Sequence, residues 1–338
     1  MYGKAFAPEY QGDLGAALSV NSSYDEVLAT AERARRDAGT DLDRARAALA
    51  LAEANRRLGR AAEARAAWRD SYRCARRAGD TAGMAWALWS GGTLARQCGT
   101  LPLARRLLSA AVAFADACGE RLAHGYALAG LAETGRIQGD YAAVADLHEQ
   151  LLQQARAHGE ARHIVWALSG IAQMHRNTGE HGRALELFTE CVGIAAEADD
   201  ARGRAWSLRG MADVLSLGGD TARALDLLTE AEAVCRDLEL AGALAYNHKM
   251  RGNVLFRAAR YEEACTAYAV ALREFRGMHE ARGTALARLG LAKSRARRGR
   301  APAATLAELA ELEREFARIG LRQARQSVVA FRSELVAA

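Results

Sequence analysis

The sequence of 338 residues predicts an all-α fold: a superhelical solenoid of about seven helix-turn-helix repeats with capping helices. Three observations predict it. Turn-forming glycines recur at a period of 40 residues, and the apolar residues between them recur at helical spacing. The chain also holds only 3 prolines, and alanine supplies much of an apolar half, a composition that favours helices over strands and long loops.

The glycines fall in two interleaved series. One runs through Gly59, Gly99, Gly139, Gly179 and Gly219, passes through Ala259 and ends at Gly299. The other runs through Gly39, Gly79, Gly119 and Gly159 and continues as Asp199, Glu239 and His279. Two turn signals per period mean two helices per repeat, because glycine readily adopts the left-handed conformation that ends a helix. Residues 201–240 are a typical unit. Ala205, Leu208, Met211, Ala212 and Leu215 form the stripe of its first helix, and Gly218-Gly219-Asp220 breaks it. Asp220 or Thr221 caps a second helix with the stripe Ala224, Leu227, Leu228, Ala231 and Val234. Pro102 and Pro302 fall in first turns of second helices, where proline is tolerated. Each repeat buries its stripe only against neighbours, so the ends need caps. Residues 22–39 are the expected leading helix, 40–320 the seven repeats and 321–338 the closing helix. Residues 1–21 match no repeat and read either as a loose tail or as an arm folded onto the solenoid.

Small residues mark a close crossing of the two helices. The first-helix column is Ala52, Gly92, Ala132, Ala172, Ala212, Gly252, Ala292; the second is Ala64, Ala104, Val144, Ala184, Ala224, Ala264, Ala304. These columns, with the glycine that follows the first, resemble the tetratricopeptide repeat over roughly residues 40–320. The usual repeat is shorter, at about 34 residues. The longer helices here are similar to those of sensor domains in high-GC bacterial regulators and quorum-peptide receptors. Two features depart from the family: Leu88, Leu128, Leu168 and Leu208 stand where it has tryptophan, and its late-repeat proline is absent. The resemblance implies a right-handed superhelix whose first helices line a concave groove.

Composition excludes several function classes. Net charge is only +5, from 46 basic and 41 acidic residues, so nucleic acid is not an expected partner. Cysteines 74, 98, 118, 191, 235 and 265 form no close pair, so neither a metal nor another cofactor is expected. No apolar run approaches the ~20 residues of a membrane span and no secretory h-region occurs, so a cytoplasmic protein is expected. No nucleotide-binding loop, metalloprotease or nucleophile-elbow motif occurs, so the chain reads as non-catalytic. His148 and His175 replace apolar positions and read as hydrogen-bonded core histidines, although Glu133, His175 and Asp213 fall where adjacent repeats would bring them together. Lys293, Arg295, Arg297, Arg298 and Arg300 form the densest basic cluster and read as a solvated helix end.

The candidate groove residues lie beside the core stripe of the first helices. Successive repeats read Trp86, Trp89, Thr93, Arg96; Tyr126, Ala129, Glu133, Arg136; Trp166, Ser169, Gln173, Arg176; Trp206, Arg209, Asp213, Ser216; and Tyr246, Lys249, Asn253, Phe256. Stacking turns these into an aromatic column, a hydrogen-bonding column and an arginine column that also includes Arg56. Five aromatics in one column suit a ligand-facing wall or packing against the preceding helix. The arginines suit a carboxylate or phosphate clamp, a solvated face, or ion pairs with Glu133 and Asp213. The expected function is a binding scaffold or sensor that holds a peptide or protein segment in the groove. The alternative is a small-molecule binder or enzyme of bacterial specialised metabolism with its ligand enclosed in the lumen. An adaptor working through its convex face or ends is a third reading.

Overall fold

A computed structural model describes residues 24–299 and 302–337, which form sixteen helices and no strand. A leading helix α1 (Tyr24–Asp37) is followed by seven helical pairs. They are α2 (Asp41–Arg57) with α3 (Ala61–Ala78), α4 (Thr81–Gln97) with α5 (Leu101–Cys118), and α6 (Arg121–Gln138) with α7 (Tyr141–His158). Next come α8 (Ala161–Thr178) with α9 (His181–Glu197), α10 (Ala201–Leu217) with α11 (Thr221–Asp237), and α12 (Ala241–Arg257) with α13 (Tyr261–Gly277). The last pair is α14 (Ala281–Arg297) with α15 (Pro302–Ile319), and α16 (Arg322–Ala337) closes the chain. The expectation for residues 1–21 lies outside the described residues.

The turns explain the period. The glycines of the first series have positive φ, and where the series lose glycine the backbone keeps its conformation: Asp199, Glu239, Ala259 and His279 have φ of 53, 51, 57 and 52°. A side chain in that region costs roughly 1–2 kcal/mol. Glycine there also loosens the unfolded chain, which offsets part of the gain. Ala259→Gly is therefore expected to stabilise the protein by about 0.5–1 kcal/mol. A urea midpoint that falls would refute this. Helix starts are fixed by side-chain caps: Asp80, Asp200 and Asp220 accept the backbone N–H of Gly83, Gly203 and Arg223 at 2.9, 3.0 and 3.1 Å. Asp220, rather than Thr221, is thus the cap of α11.

The small columns lie at the crossings. Ala172 packs in one core cluster with Ala184 and Ala212 in another with Ala224, all with no exposed surface. At Gly92 a Cβ would stand 2.6 Å from Leu108 Cγ, so the α4–α5 crossing closes to glycine distance.

The superhelix returns on itself. One apolar cluster joins Leu101 and Ile137, in the second and third pairs, to Leu289, Leu309, Phe316, Ile319 and Leu321 near the end. The turns meet there as well. A Cβ on Gly59 would stand 2.8 Å from Met278 Cα, and one on Gly99 2.9 Å from Ile319 Cγ2. Gly59 and Gly99 are thus needed both for positive φ and for close approach. The first helices of the pairs encircle the space this closure encloses.

The basic cluster separates into local pairs: Lys293 bonds Ser327, Arg297 bonds Glu334 and Arg298 bonds Glu262, while Arg300 lies outside the described residues. All six cysteines are free. Among the described residues no helix is long and apolar enough to cross a membrane.

Candidate functional site

The first helices α2 to α14 turn one face each toward the superhelix axis, and with α1 and α16 they line a cavity of about 810 Å³. The wall is strongly basic. It carries nine arginines and two lysines against the four carboxylates of Glu133, Asp213, Glu239 and Glu280.

Two carboxylates organise part of this charge. Glu133, on α6, takes hydrogen bonds of 2.7 and 2.8 Å from Arg136. Arg282 and Arg96 approach the same carboxylate at 3.6 and 3.9 Å. Burial raises the pKa of Glu133, but Arg136, Arg282 and Arg96 together outweigh it and hold the carboxyl at about 2. Asp213, on α10, pairs with Arg176 at 2.6 Å and with Arg257 at 2.7 Å. Burial again raises its pKa, and Arg176 and Arg257 reverse the shift to a net lowering. Tyr246 donates to Glu280 at 3.0 Å and accepts from Arg282 at 2.7 and 3.0 Å. Asn253 accepts the Tyr268 hydroxyl at 2.8 Å. The side chain of Gln173 also lines the wall.

Other cations on the wall have no carboxylate within ion-pair distance among the described residues. Arg57 lies over the Tyr24 ring at 5.5 Å. Arg209 lies 5.8 Å from the centroids of both Trp206 and Tyr246. Arg202, Lys249 and Lys293 complete the set, Lys293 bonding Ser327. Burial pushes Arg202 down to about 9, with Arg57 and Arg56 adding repulsion. Burial pushes Lys249 down to about 8; Asp213 opposes this, while Arg282, Arg176 and Arg257 reinforce it.

The aromatic column divides. Trp206 and Tyr246 line the cavity. Trp86, Trp89 and Tyr126 do not: their exposures are 1, 5 and 6 %, and their rings form a core cluster between successive first helices. Trp89 meets Trp86 edge-on at 5.4 Å, and Tyr126 meets Trp89 and Trp166 at 5.1 Å each. The physical reason is that this position lies at the contact between neighbouring first helices, where edge-to-face pairing buries the rings and favours folding. Trp166 is half-buried against the same cluster. The packing reading therefore describes the first three of the five aromatic repeats.

Of the other candidate residues, Arg96, Glu133, Arg136, Gln173, Arg176, Arg209, Asp213, Lys249 and Asn253 line the cavity. Thr93 is buried away from it, and Arg56 is held in a bidentate pair with Glu53 on its own helix. His175 pairs with Glu180 at 3.2 Å rather than with Glu133 or Asp213. His148 is buried, but against the expectation for a core histidine neither ring nitrogen has a hydrogen-bond partner among the described residues. Burial holds it neutral, with its pKa pushed down to about 4. Arg57, Arg202, Arg257 and Arg282 are wall residues that the columns missed. Arg202 precedes Trp206 by one helical turn, and Arg57 and Arg257 each follow the arginine-column position by one, so both periodicities were present. Among the described residues no group of three or more His, Cys, Asp or Glu side chains is arranged to hold a metal.

Comparisons with known proteins agree with this architecture. The family described as tetratricopeptide repeat matches residues 163–237, and one described as anaphase-promoting complex subunit 5 matches residues 16–97. No curated relative matches the sequence significantly. Among solved structures, the chain is similar to a Rap protein complexed with competence and sporulation factor, at 12 % identity and TM-score 0.63, covering 96 % of this chain and 98 % of that one. It is also similar to the apo form of the quorum sensor NprR from B. thuringiensis, at 12 % identity and TM-score 0.52, covering 97 and 99 %. A third is a signal-transduction ATPase with a tetratricopeptide repeat sensor from Pyrococcus horikoshii, at 13 % identity and TM-score 0.50, covering 88 % of this chain and 47 % of that one.

Proposed function

The chain is a tetratricopeptide-repeat solenoid, and from that premise we propose that it is a non-catalytic receptor or scaffold that holds a peptide or protein segment in its lumen. The observation that carries this reading is the lumen wall. It presents a ladder of polar groups at one level per repeat: Glu133, Gln173, Asp213 and Asn253. Trp206 and Tyr246 stand beside the ladder. A polypeptide offers repeating amides to such a ladder and side chains to such rings, as in other repeat proteins that read extended segments along a concave face. That one similar fold is complexed with competence and sporulation factor, and another is a quorum sensor, supports the reading.

A specific observation also favours an enclosed small molecule: the superhelix closes through Gly59–Met278 and Gly99–Ile319, and about 810 Å³ falls within the ~300–1,000 Å³ usual for small-ligand pockets. Native mass spectrometry of the protein from its own host separates the two. A bound peptide or protein segment supports the receptor; a bound non-peptide species overturns it. Trp206→Ala is expected to weaken the captured peptide's binding by about thirtyfold, the effect of removing an aromatic anchor, while the helical circular dichroism stays unchanged. Unchanged affinity would remove Trp206 from the site.

A further inference from the structure

The lumen concentrates positive charge beyond that of the whole chain. Its wall carries eleven cationic side chains and four carboxylates, whereas the full sequence has a net charge of only +5. The outer surface is therefore close to neutral or acidic, and the excess is turned inward. Part of the inward charge is neutralised on Glu133 and Asp213. Of the rest, Arg56 pairs with Glu53 and Lys293 bonds Ser327, which leaves four cations, Arg57, Arg202, Arg209 and Lys249, with no side-chain hydrogen-bond or ion-pair partner among the described residues.

Two of these four come from distant parts of the chain. Arg57 ends α2 and Arg202 begins α10, and superhelical closure brings both to the wall of one cavity. Arg209 and Lys249 extend from α10 and α12 beside Trp206 and Tyr246. Enclosing unpaired cations together lowers stability, because each loses hydration and gains like-charge neighbours. Nothing in the packing requires it: at these positions an uncharged side chain would leave the helix stripes intact. An anion seated among them would relieve both costs, in a partly enclosed space where its attraction is screened less than at an open surface.

We infer that the lumen selects its ligand by negative charge, taking a peptide segment whose acidic side chains engage Arg57 and Arg202 near the start of α10 and Arg209 and Lys249 further along it. This rests on the peptide reading above. Burial, reinforced by Arg282, Arg176 and Arg257, pushes Lys249 down to about 8, and this supplies a signature. A carboxylate placed on Lys249 raises its pKa, so binding at pH 8.5 takes up protons.

The test is isothermal titration calorimetry at pH 8.5, in two buffers of different ionisation enthalpy, with hexaglutamate, hexalysine, a neutral Ser-Gly hexapeptide and inorganic pyrophosphate as probes. Hexaglutamate is expected to bind with proton uptake and with affinity that falls as salt rises; hexalysine and the neutral peptide are expected not to bind. Arg202→Gln and Lys249→Gln should each weaken hexaglutamate roughly ten- to a hundredfold, the effect of losing a charge-assisted hydrogen bond. Lys249→Gln should also abolish the proton uptake. In the free protein both variants should keep or raise the melting temperature, because each removes an unpaired charge. A merely structural role would lower it instead. Hexalysine or the neutral peptide binding as well as hexaglutamate, or full affinity in both variants, overturns the inference. Pyrophosphate binding without hexaglutamate overturns the peptide occupant while leaving the charge selection in place, so the two readings fail separately.

Discussion

Glu133→Gln is expected to destabilise the protein by about 3 kcal/mol, because it removes the one carboxylate that three guanidinium groups share. Arg136 loses a bidentate partner at 2.7 and 2.8 Å, and Arg96 and Arg282 are left facing each other in a largely enclosed wall. Glutamine keeps the volume, so the loss reports charge rather than packing. The effect is also long-range in sequence, since Glu133 lies on α6 and Arg282 on α14. The pH dependence follows from the direction of the shift. The carboxyl is held at about 2 against an ordinary value of 4.5, so its contribution is fully present above about pH 4.5 and is lost as pH falls through 2. The wild-type protein should lose stability over that window, and the variant should lose about 3 kcal/mol less across it. Urea midpoints at pH 7 and pH 2 measure both effects. A variant as stable as wild type at pH 7 would show that water screens the cluster.

Phe316→Ala is expected to cost about 3–5 kcal/mol and to open the superhelix. Phe316 is fully buried and belongs to the cluster that joins Leu101 and Ile137 to the last helices. A truncated ring leaves a cavity where the two ends of the solenoid meet, so the loss falls on closure as well as on local packing. Small-angle X-ray scattering should show a larger radius of gyration at temperatures where the helices remain folded. A destabilised variant with unchanged dimensions would place the strength of the closure elsewhere, in the contacts of Gly59 and Gly99.

The repeat was legible because its turns are a local property. A left-handed residue every 20 positions ends a helix whatever surrounds it, and the pattern persists at Asp199 and His279, where glycine is absent. The polar and arginine columns were legible for a similar reason: helical spacing alone puts Glu133 beside Arg136 and aligns Asp213 with Arg176 of the preceding repeat. Two things were not legible. Whether Trp86 or Trp206 faces the axis depends on how far successive first helices rotate, and that angle is written in no single repeat. Partners from distant repeats, such as Glu133 with Arg282, depend on how many repeats complete one turn. That number accumulates from small rotations at every crossing, so a column read down one wall says nothing of the wall opposite.

The closure also bears on how the protein folds. A linear array of repeats frays from its ends, and its stability is roughly a sum over neighbouring units. Here the second and third pairs touch the last two helices, so those helices are held by an early part of the solenoid as well as by their neighbours. Amide hydrogen exchange should therefore show α4 and α15 opening in one cooperative step rather than a gradient of protection from the middle outward. Contacts such as Gly99 with Ile319 span most of the chain, and loop closure over that distance must precede any gain from them. Refolding should thus be slow for an all-helical protein, with helices forming early and the ring sealing last.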